Sequence, residues 1–502
     1  MSAFAARRSG SFVDTRLDPR RPWAEDLFLR IPAGVEVCVR NDLSSITAYV
    51  LAEQEDWFEP ELAFLRRWLK PGMNAIDVGA NHGVFALTMA RLVGPEGRVT
   101  AFEPGLEVQG LLERSIARNG LANLELVRAA VAETPGEAQL HDGNGSSEAA
   151  SLAAGGGRPG GTVRVTTLDS EWERLGRPPV DFVKIDVEGF EAQVIAGAHR
   201  LLRDAAPLVM FEISGERARL GELGPRLAGL GYAIYRLLPG PGVLVPAVAE
   251  EISRFQLNLM ACTPARAAEL ADAGLLIPAI GTAPPVESEQ ALAGFATLSC
   301  WNSAHGLALR NHLHGEAASP LAHALRSRVG APRRVVADLH EVARDPGRQM
   351  LSGLDVPVLC SLARSAAEFG WRERALAALG ELQALLDRAY DTCDLAYLPA
   401  VAAFDTMPAD ADREEWLRVM TADALVTLHC HSTRFTRAEA LAVLDRWRHS
   451  RFFGPHLERR RQLLAVRLGL QAGLVATEPL RLAPYPPPHD GGRRVASGRL
   501  AC

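Results

Sequence analysis

The chain has 502 residues, of which 48% are apolar and 23% are charged. This length exceeds what one ordinary hydrophobic core supports, and the composition is that of globular proteins, so we expect two or more folded domains. A formal net charge of −6 disfavours a general binder of nucleic-acid phosphates, and we expect no nucleic-acid partner.

The cysteines and the apolar runs bear on location. Seven cysteines are scattered along the chain without a Cys-x-x-Cys pair, which favours reduced thiols over a disulfide framework. The first residues, from Met1 to Trp23, contain no continuous apolar segment of the kind that a signal peptide needs. No run approaches the roughly 18 apolar residues of a spanning helix. We therefore expect a cytoplasmic protein without a transmembrane segment.

The first half of the chain alternates between strand and helix patterns. Residues 1–26 are polar and rich in arginine, and we expect a flexible lead-in there. From residue 27 to residue 263 short apolar runs alternate with helical periodicity, which predicts an α/β domain with a largely parallel sheet. The predicted strands are Ala75 to Val78, Arg98 to Phe102, Leu124 to Ala130, Phe182 to Val187, Leu208 to Ile213, Tyr232 to Leu238 and Phe255 to Cys262.

One segment inside this domain breaks the alternation. His141 to Gly161 is rich in Gly, Ser and Ala and contains three consecutive glycines. That composition predicts a mobile loop, which could serve as a lid over a ligand.

After residue 263 the β-branched runs fade, and Ala, Leu and Arg dominate. We predict a linker at 264–290, a mainly α-helical domain of unknown role at 291–483 and a disordered tail at 484–502. Leucines at helical spacing between Leu376 and Leu386 support packed helices. We expect this domain to bind a protein partner or to mediate self-association.

The loop after the first predicted strand, Asp77 to Gly83, has the sequence D-V-G-A-N-H-G. A glycine loop between a strand and a helix lets the backbone approach a ligand. The dinucleotide fingerprint has its middle glycine where Asn81 stands, and the Asp77 carboxylate disfavours a diphosphate nearby. This loop therefore favours a cofactor other than a dinucleotide.

Glu103 ends the next strand, where folds of this kind hold both hydroxyls of a ribose. Together with the loop, it predicts an adenosyl amino acid as the cofactor. The alternative is structural: Gly79 and Gly83 would serve only tight turns, and Asp77 would cap the following helix.

Four motifs between residues 35 and 262 resemble the FkbM family of S-adenosylmethionine-dependent methyltransferases. A fifth segment, F-E-P-E at 58–61, also fits. The resemblance does not extend to the helical half. The four motifs are D-V-G-A-N-H-G at 77–83, F-E-P at 102–104, T-L-D at 167–169 and K-I-D-V-E-G-F-E at 184–191.

This resemblance implies a class I methyltransferase fold, a Rossmann-like α/β sheet of seven strands whose last hairpin is antiparallel. It also implies O-methylation of a hydroxyl on a sugar, a glycolipid or another secondary metabolite. By the family pattern, S-adenosylmethionine is the cofactor, and the residues that line it are Asp77, Gly79, Asn81, Gly83 and Glu103.

The resemblance places Asp186, at the end of the fourth strand, beside the cofactor methyl group. We expect Asp186 to bind the acceptor hydroxyl as its general base, and Glu188 could share that role. These two acids could instead hold a divalent cation with Glu212, but adjacent acids do not define a coordination shell, so we assign no metal ligand. In a structural reading, Glu188 forms a turn and Lys184 neutralises Asp186.

Two other functional classes are compatible with parts of the sequence. A scaffold or interaction protein could retain the cofactor without turnover, although the intact Asp77, Glu103 and Asp186 argue against it. A nicotinamide dehydrogenase is disfavoured by Asn81. Histidines at 312, 314, 429 and 431 lack companion ligands at zinc spacing, so we predict no zinc site.

Overall fold

The computed structural model describes residues 26–143, 146–151, 159–213, 217–279, 351, 356–388, 400–401, 404, 413–430 and 438–470. Several predictions fall outside these ranges. They concern residues 1–25 of the lead-in, residues 280–290 of the linker, the tail at 484–502, and His312, His314 and His431.

The strands of the described residues, numbered in chain order, are β1 (Leu27–Ile31), β2 (Val35–Val39), β3 (Asn74–Val78), β4 (Arg98–Phe102), β5 (Leu124–Val127), β6 (Ala130–Val131), β7 (Gly136–Gly143), β8 (Ser146–Ser151), β9 (Pro159–Thr166), β10 (Phe182–Ile185), β11 (Leu208–Glu212), β12 (Ala233–Leu238), β13 (Val243–Pro246) and β14 (Asn258–Cys262). Within the same part of the chain, eight of them form the main sheet, in the order β13-β12-β14-β11-β10-β3-β4-β5. Strands β3, β4, β5, β10 and β11 are parallel. Strand β14 runs antiparallel to both of its neighbours, and β13 forms an antiparallel hairpin with β12.

The sheet thus has one strand more than the seven that the resemblance implies. The additional strand β13 follows the turn Pro239 to Gly242, which carries two prolines and two glycines. Val243, Leu244 and Val245 are fully buried, and burial on both faces hides the alternation that identifies a strand in a sequence.

The prediction of a mobile loop from His141 to Gly161 is wrong for the described residues. Strand β7 pairs antiparallel with β9 from Gly136, opposite Val165, to Leu140, opposite Gly161. With β6 and β8 they form a four-stranded sheet in the order β6-β9-β7-β8. The buried Leu140 and Val165 anchor these strands, although the glycine and serine content resembles that of a loop.

The helices of the same half are α1 (Ile46–Gln54), α2 (Pro60–Trp68), α3 (Val84–Val93), α4 (Leu106–Asn119), α5 (Leu168–Arg174), α6 (Glu191–Ala196), α7 (His199–Ala205), α8 (Arg217–Gly229) and α9 (Pro264–Asp272), with short 3₁₀ turns at Pro32–Gly34 and Ala249–Glu251. They cover both faces of the main sheet. Successive residues of a central strand enter different cores: Phe182 packs with α2 and α3, whereas Val183 packs with α5 to α8. This two-faced burial is the rule for a parallel sheet.

The predicted linker does not begin at residue 264, because helix α9 begins there. Leu270 of α9 is fully buried, and Leu275 and Leu276 join the same core as β3 and α3. Residues 264–279 therefore belong to the α/β part. Their alanine-rich sequence resembles the helical half in composition, which is why the sequence predicts the end of the α/β domain too early.

The helices of the C-terminal half are α10 (Val356–Glu368), α11 (Arg372–Asp387), α12 (Arg413–His429), α13 (Ala438–Trp447) and α14 (Pro455–Arg467). The predicted mainly helical character of this region is confirmed for the residues described there. Its core includes Leu359, Leu379, Trp416 and Met420. No helix within the described ranges is long and apolar enough to cross a membrane.

Candidate functional site

The predicted site residues meet at one edge of the main sheet. Strands β11, β10, β3 and β4 are parallel neighbours, so their carboxyl ends lie side by side. The loop Gly79 to Gly83 follows β3, Glu103 follows β4, Asp186 follows β10, and Glu212 ends β11. The loop therefore lies between Asp186 on one side and Glu103 on the other.

Both loop glycines are required by the packing of the chain itself. Gly79 has a φ of 80°, and a Cβ there would lie 1.8 Å from the backbone oxygen of Asp186. Gly83 has a φ of 83°, and its Cβ would lie 2.3 Å from Leu112 Cδ1. Other residues rarely adopt a positive φ, and a side chain would collide at either position. The loop thus runs directly against the backbone that carries Asp186.

The first amides of the loop are used within the protein. The N–H groups of Gly79 and Ala80 both donate to the Phe102 carbonyl at 3.0 Å. The Asn81 N–H donates to Glu103 Oε2 at 2.8 Å. A diphosphate-binding loop would instead aim such amides at its ligand. This geometry agrees with the prediction that the loop does not serve a dinucleotide.

Glu103 is buried and ties the loop to β4. Its Oε1 accepts a hydrogen bond from Gly105 N–H at 2.7 Å, and its Oε2 accepts the one from Asn81. Burial raises the pKa of Glu103 to about 7, although these two hydrogen bonds oppose the shift. A carboxylate offers about four acceptor positions, so Glu103 keeps capacity for two hydroxyl donors. That capacity fits a ribose.

Asp77 lies within β3, opposite Lys184 of β10, and is fully buried. Lys184 Nζ lies 3.6 Å from Asp77 Oδ1, and neither carboxylate oxygen of Asp77 has a hydrogen bond of normal geometry. Burial raises the pKa of Asp77 to about 6, and the Lys184 charge opposes that shift. The cation that Asp77 meets is thus a side chain of the same protein.

Lys184 links the two strands at the centre of the site. Its ammonium lies 2.9 Å from Asp186 Oδ2 and 5.2 Å from the centre of the Phe85 ring. Burial alone would lower the pKa of Lys184, but the charges of Asp186, Asp77 and Glu59 outweigh it and raise that pKa above its usual value. The ammonium therefore stays charged, and Lys184 does neutralise Asp186 as the structural reading expected.

Three acids converge beyond Lys184. Carboxylate oxygens of Asp186, Glu188 and Glu212 lie within 4.8 Å of one another. The Asp186 side chain is 29% exposed, and Glu188 has a φ of 52° in the turn before α6. Glu191 holds that turn, because its Oε1 accepts from the N–H groups of Val187 at 3.3 Å and Gly189 at 3.1 Å. Acidic groups often cluster without an ion, so this grouping alone assigns no metal.

Two further residues at this edge were not predicted. Glu59 Oε1 accepts a hydrogen bond from the Trp57 indole N–H at 3.0 Å, and its Oε2 accepts one from the Asn258 side-chain amide at 2.8 Å. Asn258 begins β14 opposite Glu212 of β11. The F-E-P-E segment at 58–61 was the available signal for Glu59, whereas nothing in the sequence marks Asn258.

One motif residue serves the fold instead of the site. Asp169, in the T-L-D motif, accepts hydrogen bonds from the backbone N–H groups of Arg200 at 3.0 Å and Leu201 at 2.8 Å. Both groups belong to the first turn of α7, whose N–H groups have no partner within the helix. Asp169 therefore caps α7.

The family model described as Methyltransferase FkbM domain matches residues 77–234. Protein-L-isoaspartate O-methyltransferase of Triticum aestivum is 36% identical over 63 residues, which are 12% of this chain and 27% of that protein. The chain thus spans well under half of the length of this curated relative.

Three solved structures are similar at low scores. Methyltransferase FkbM from Methylobacillus flagellatus KT has a TM-score of 0.28 and 16% identity, over 43% of this chain and 58% of its own. A SAM-dependent O-methyltransferase from Thermotoga maritima has a TM-score of 0.28 and 17% identity, over 48% and 77%. Fibrillarin from Aeropyrum pernix, in complex with natively bound S-adenosyl-L-methionine, has a TM-score of 0.25 and 14% identity, over 49% and 86%. These similarities give no information on the acceptor.

The matched range begins at Asp77 in β3 and ends at Ile234 in β12, so it contains the loop, Glu103 and Asp186. The sheet around it has the class I methyltransferase arrangement that the motifs implied, with β13 added at its edge. Over residues 77–234, the chain therefore carries a methyltransferase FkbM domain.

Proposed function

We propose that the chain is an O-methyltransferase that moves a methyl group from S-adenosylmethionine to a hydroxyl of a sugar, a glycolipid or another secondary metabolite. The observation that supports this most directly is the position of the loop Gly79 to Gly83. It lies between Glu103, which has capacity for two hydroxyl donors, and Asp186, which can take a proton. A cofactor held by the loop and Glu103 would be adjacent to Asp186.

The residues fit the cofactor in two respects. Glu103 suits the ribose hydroxyls, and Asn81 holds its backbone N–H on Glu103, so the loop and the acid are fixed together. We therefore propose that Asp77, Gly79, Asn81, Gly83 and Glu103 form the cofactor site. Asp77 is fully buried and contributes through its ion pair with Lys184. The cofactor supplies a methyl group that its positively charged sulfur has already activated for transfer.

The protein must align the acceptor oxygen and remove its proton, because an alcohol is a weak nucleophile. Asp186 suits this task, since its side chain is partly exposed and its backbone lies against the loop. Lys184 contacts Oδ2 of Asp186, so Oδ1 can face the acceptor hydroxyl. Glu188 lies close enough to share the acceptor or to accept the proton next.

Ligand binding separates a methyltransferase from a dehydrogenase. We expect S-adenosylhomocysteine to raise the melting temperature, because a ligand that binds only the folded state stabilises it by about 2.7 kcal/mol at a hundred times its Kd. NAD should leave the melting temperature unchanged. Stabilisation by NAD alone would rule out the proposed activity. Methyl-labelled S-adenosylmethionine and fractionated cell extracts then identify the acceptor by product mass.

The Asp186→Ala variant tests the chemical step. We expect labelling of the acceptor fraction to fall by roughly 10²- to 10⁴-fold, the usual contribution of a general base. The thermal shift with S-adenosylhomocysteine should persist. Asp204→Ala, which removes an exposed acid on α7, serves as the control and should label normally. Normal labelling by Asp186→Ala would remove Asp186 from the mechanism, and cofactor binding without any labelling by the wild type would favour the scaffold alternative.

The proposal extends to the rest of the chain. Helix α14 packs beside α1, and α1 leads within a few residues to Glu59 at the site. We therefore propose that the helical region orients the acceptor or mediates assembly. We also propose a cytoplasmic location, which rests on the cysteine pattern. Cys38, Cys262 and Cys360 are buried free thiols.

A further inference from the structure

We infer that Glu59, outside the matched range 77–234, is a positioning residue of the methyl-transfer site that acts on Asp186 through Lys184. The inference deepens the proposed function and rests on it. It assigns a role to a segment upstream of the domain match, the F-E-P-E sequence at 58–61.

The hydrogen bonds of Glu59 show that its carboxylate serves something other than its own helix. Glu59 is the N-cap residue of α2, yet its side chain makes no capping hydrogen bond to that helix. Its two oxygens instead accept from Trp57 Nε1, two residues before it, and from Asn258 Nδ2, 199 residues further along the chain. Two donors therefore fix a carboxylate that α2 does not need.

The position of Asn258 places Glu59 at the chemical end of the sheet. Asn258 pairs with Glu212 across β14 and β11, and a carboxylate oxygen of Glu212 lies within 4.8 Å of one from Asp186. The electrostatics agree with this proximity. Burial, and then the charge of Asp186, raise the pKa of Glu59 to about 7, whereas the charge of Lys184 lowers it.

Lys184 transmits the effect of Glu59. Its one ammonium has three donors and lies 3.6 Å from Asp77 Oδ1 and 2.9 Å from Asp186 Oδ2, and the charge of Glu59 acts on it as well. An ionised Glu59 thus adds a third attraction on the ammonium and helps to fix its position against Asp186. Without Glu59, the ammonium would shift towards Asp77 and Asp186, and the Asp186 carboxylate would lose its fixed orientation. The other titratable groups near this cluster include Glu61, Glu103, Glu188 and Glu212.

The central experiment compares Glu59→Gln with the wild type on the extract fraction that the wild type labels with tritiated S-adenosylmethionine. We expect kcat to fall by up to about a hundredfold, the scale of a misplaced catalytic group. The Kd of S-adenosylhomocysteine should be unchanged. Glu61→Gln is the matched control two residues away. Burial raises the pKa of Glu61 to about 8, so this acid is already largely protonated at pH 7 and glutamine resembles it.

A second variant tests positioning directly. Trp57→Phe keeps an aromatic ring but removes the indole N–H that holds Glu59. We expect a smaller loss of kcat, and we expect no further loss when Trp57→Phe is added to Glu59→Ala, because the two substitutions act on one interaction. If the Glu59 variants fail to fold, Trp57→Phe alone tests the positioning role of Glu59.

The outcomes are distinct. A normal kcat in Glu59→Gln, additive losses in the double variant, or loss of S-adenosylhomocysteine binding in Glu59→Gln would each overturn the positioning role while leaving the proposed activity intact. A wild type that labels no fraction would overturn the activity, and this inference with it.

Discussion

The buried ammonium of Lys184 and the carboxylates around it form one electrostatic unit. Asp77 and Asp186 contact Lys184 from neighbouring strands, and Glu59 approaches from the segment before α2. A single positive charge cannot balance three negative charges, and an uncompensated buried charge is costly. Burial raises the pKa of Asp77 to about 6 and of Glu59 to about 7, so these two groups hold protons closer to neutral pH than free acids do.

This retention of protons predicts the pH dependence of stability. Burial raises the pKa of Asp77 to about 6, of Glu59 and Glu103 to about 7 and of Glu61 to about 8, whereas the ordinary values are 3.8 and 4.5. The folded state thus binds more protons than the unfolded state between about pH 5 and pH 8, so the free energy of unfolding falls as pH rises through this window. We expect the melting temperature of the ligand-free protein to decrease steadily from pH 5 to pH 8.

Two comparisons sharpen this test. Glu61→Gln removes the acid with the highest of these pKa values, so its melting temperature should depend less on pH between 7 and 8. Groups with a lowered pKa, such as Glu171, act only below about pH 4.5 and do not interfere. A melting temperature that rises from pH 5 to pH 8 would contradict the buried, partly protonated state of the site.

At the scale of elements, α14 joins the helical half to the α/β half through a buried arginine. Arg460 Nε donates to Glu53 Oε1 of α1 at 2.6 Å, and its Nη1 donates to Thr427 Oγ1 of α12 at 2.8 Å. Asp423 Oδ1 lies 3.8 Å from the same Nη1. Next to this ion pair, Leu463 of α14 packs against Tyr49 and other apolar residues of α1. One side chain therefore connects three helices.

Arg460→Met should destabilise the protein by about 3–5 kcal/mol, because it leaves the buried carboxylate of Glu53 without its cation, whereas Asp423 keeps its contact with His456. Urea denaturation measures this loss. Arg446→Met is the matched control, since Arg446 is 58% exposed and lies 4.0 Å from Asp387, and exposed pairs contribute about 1 kcal/mol or less. Adding Glu53→Gln to Arg460→Met should recover part of the stability. Equal losses for the two arginine variants would contradict the role of Arg460.

At the scale of the whole molecule, the site residues that the sequence predicts are those whose position follows from the order of strands along the chain. Asp77, Glu103 and Asp186 each lie in or end a short apolar strand, so strand order alone brought them to one edge. Glu59 and Asn258 meet only through tertiary packing, and no spacing in the sequence indicates it. Strands β7 and β9 were missed for a similar reason, since their antiparallel pairing outweighs a composition typical of loops.

Among the residues that the structure describes, the two halves contact each other at two separate places. Besides α14 on α1, the turn after α10 packs against the β12–β13 hairpin. Arg236 Nη1 donates to the Phe369 carbonyl at 2.9 Å, and its guanidinium lies 4.5 Å from the centre of the Phe369 ring. The Gly240 N–H donates to the Glu368 carbonyl at 2.9 Å. Two attachments restrain the helical region more than one would, so it is an integral part of the folded protein.

The close approach of Gly79 to Asp186 has a consequence for engineering. Any side chain at position 79 would displace the backbone oxygen of Asp186, so enlarging the loop also moves the proposed base. Changes intended to admit bulkier methyl-donor analogues are therefore better made on the Glu103 side of the loop. On that side, donor selectivity would change without reactivity. At position 79, one substitution would change both.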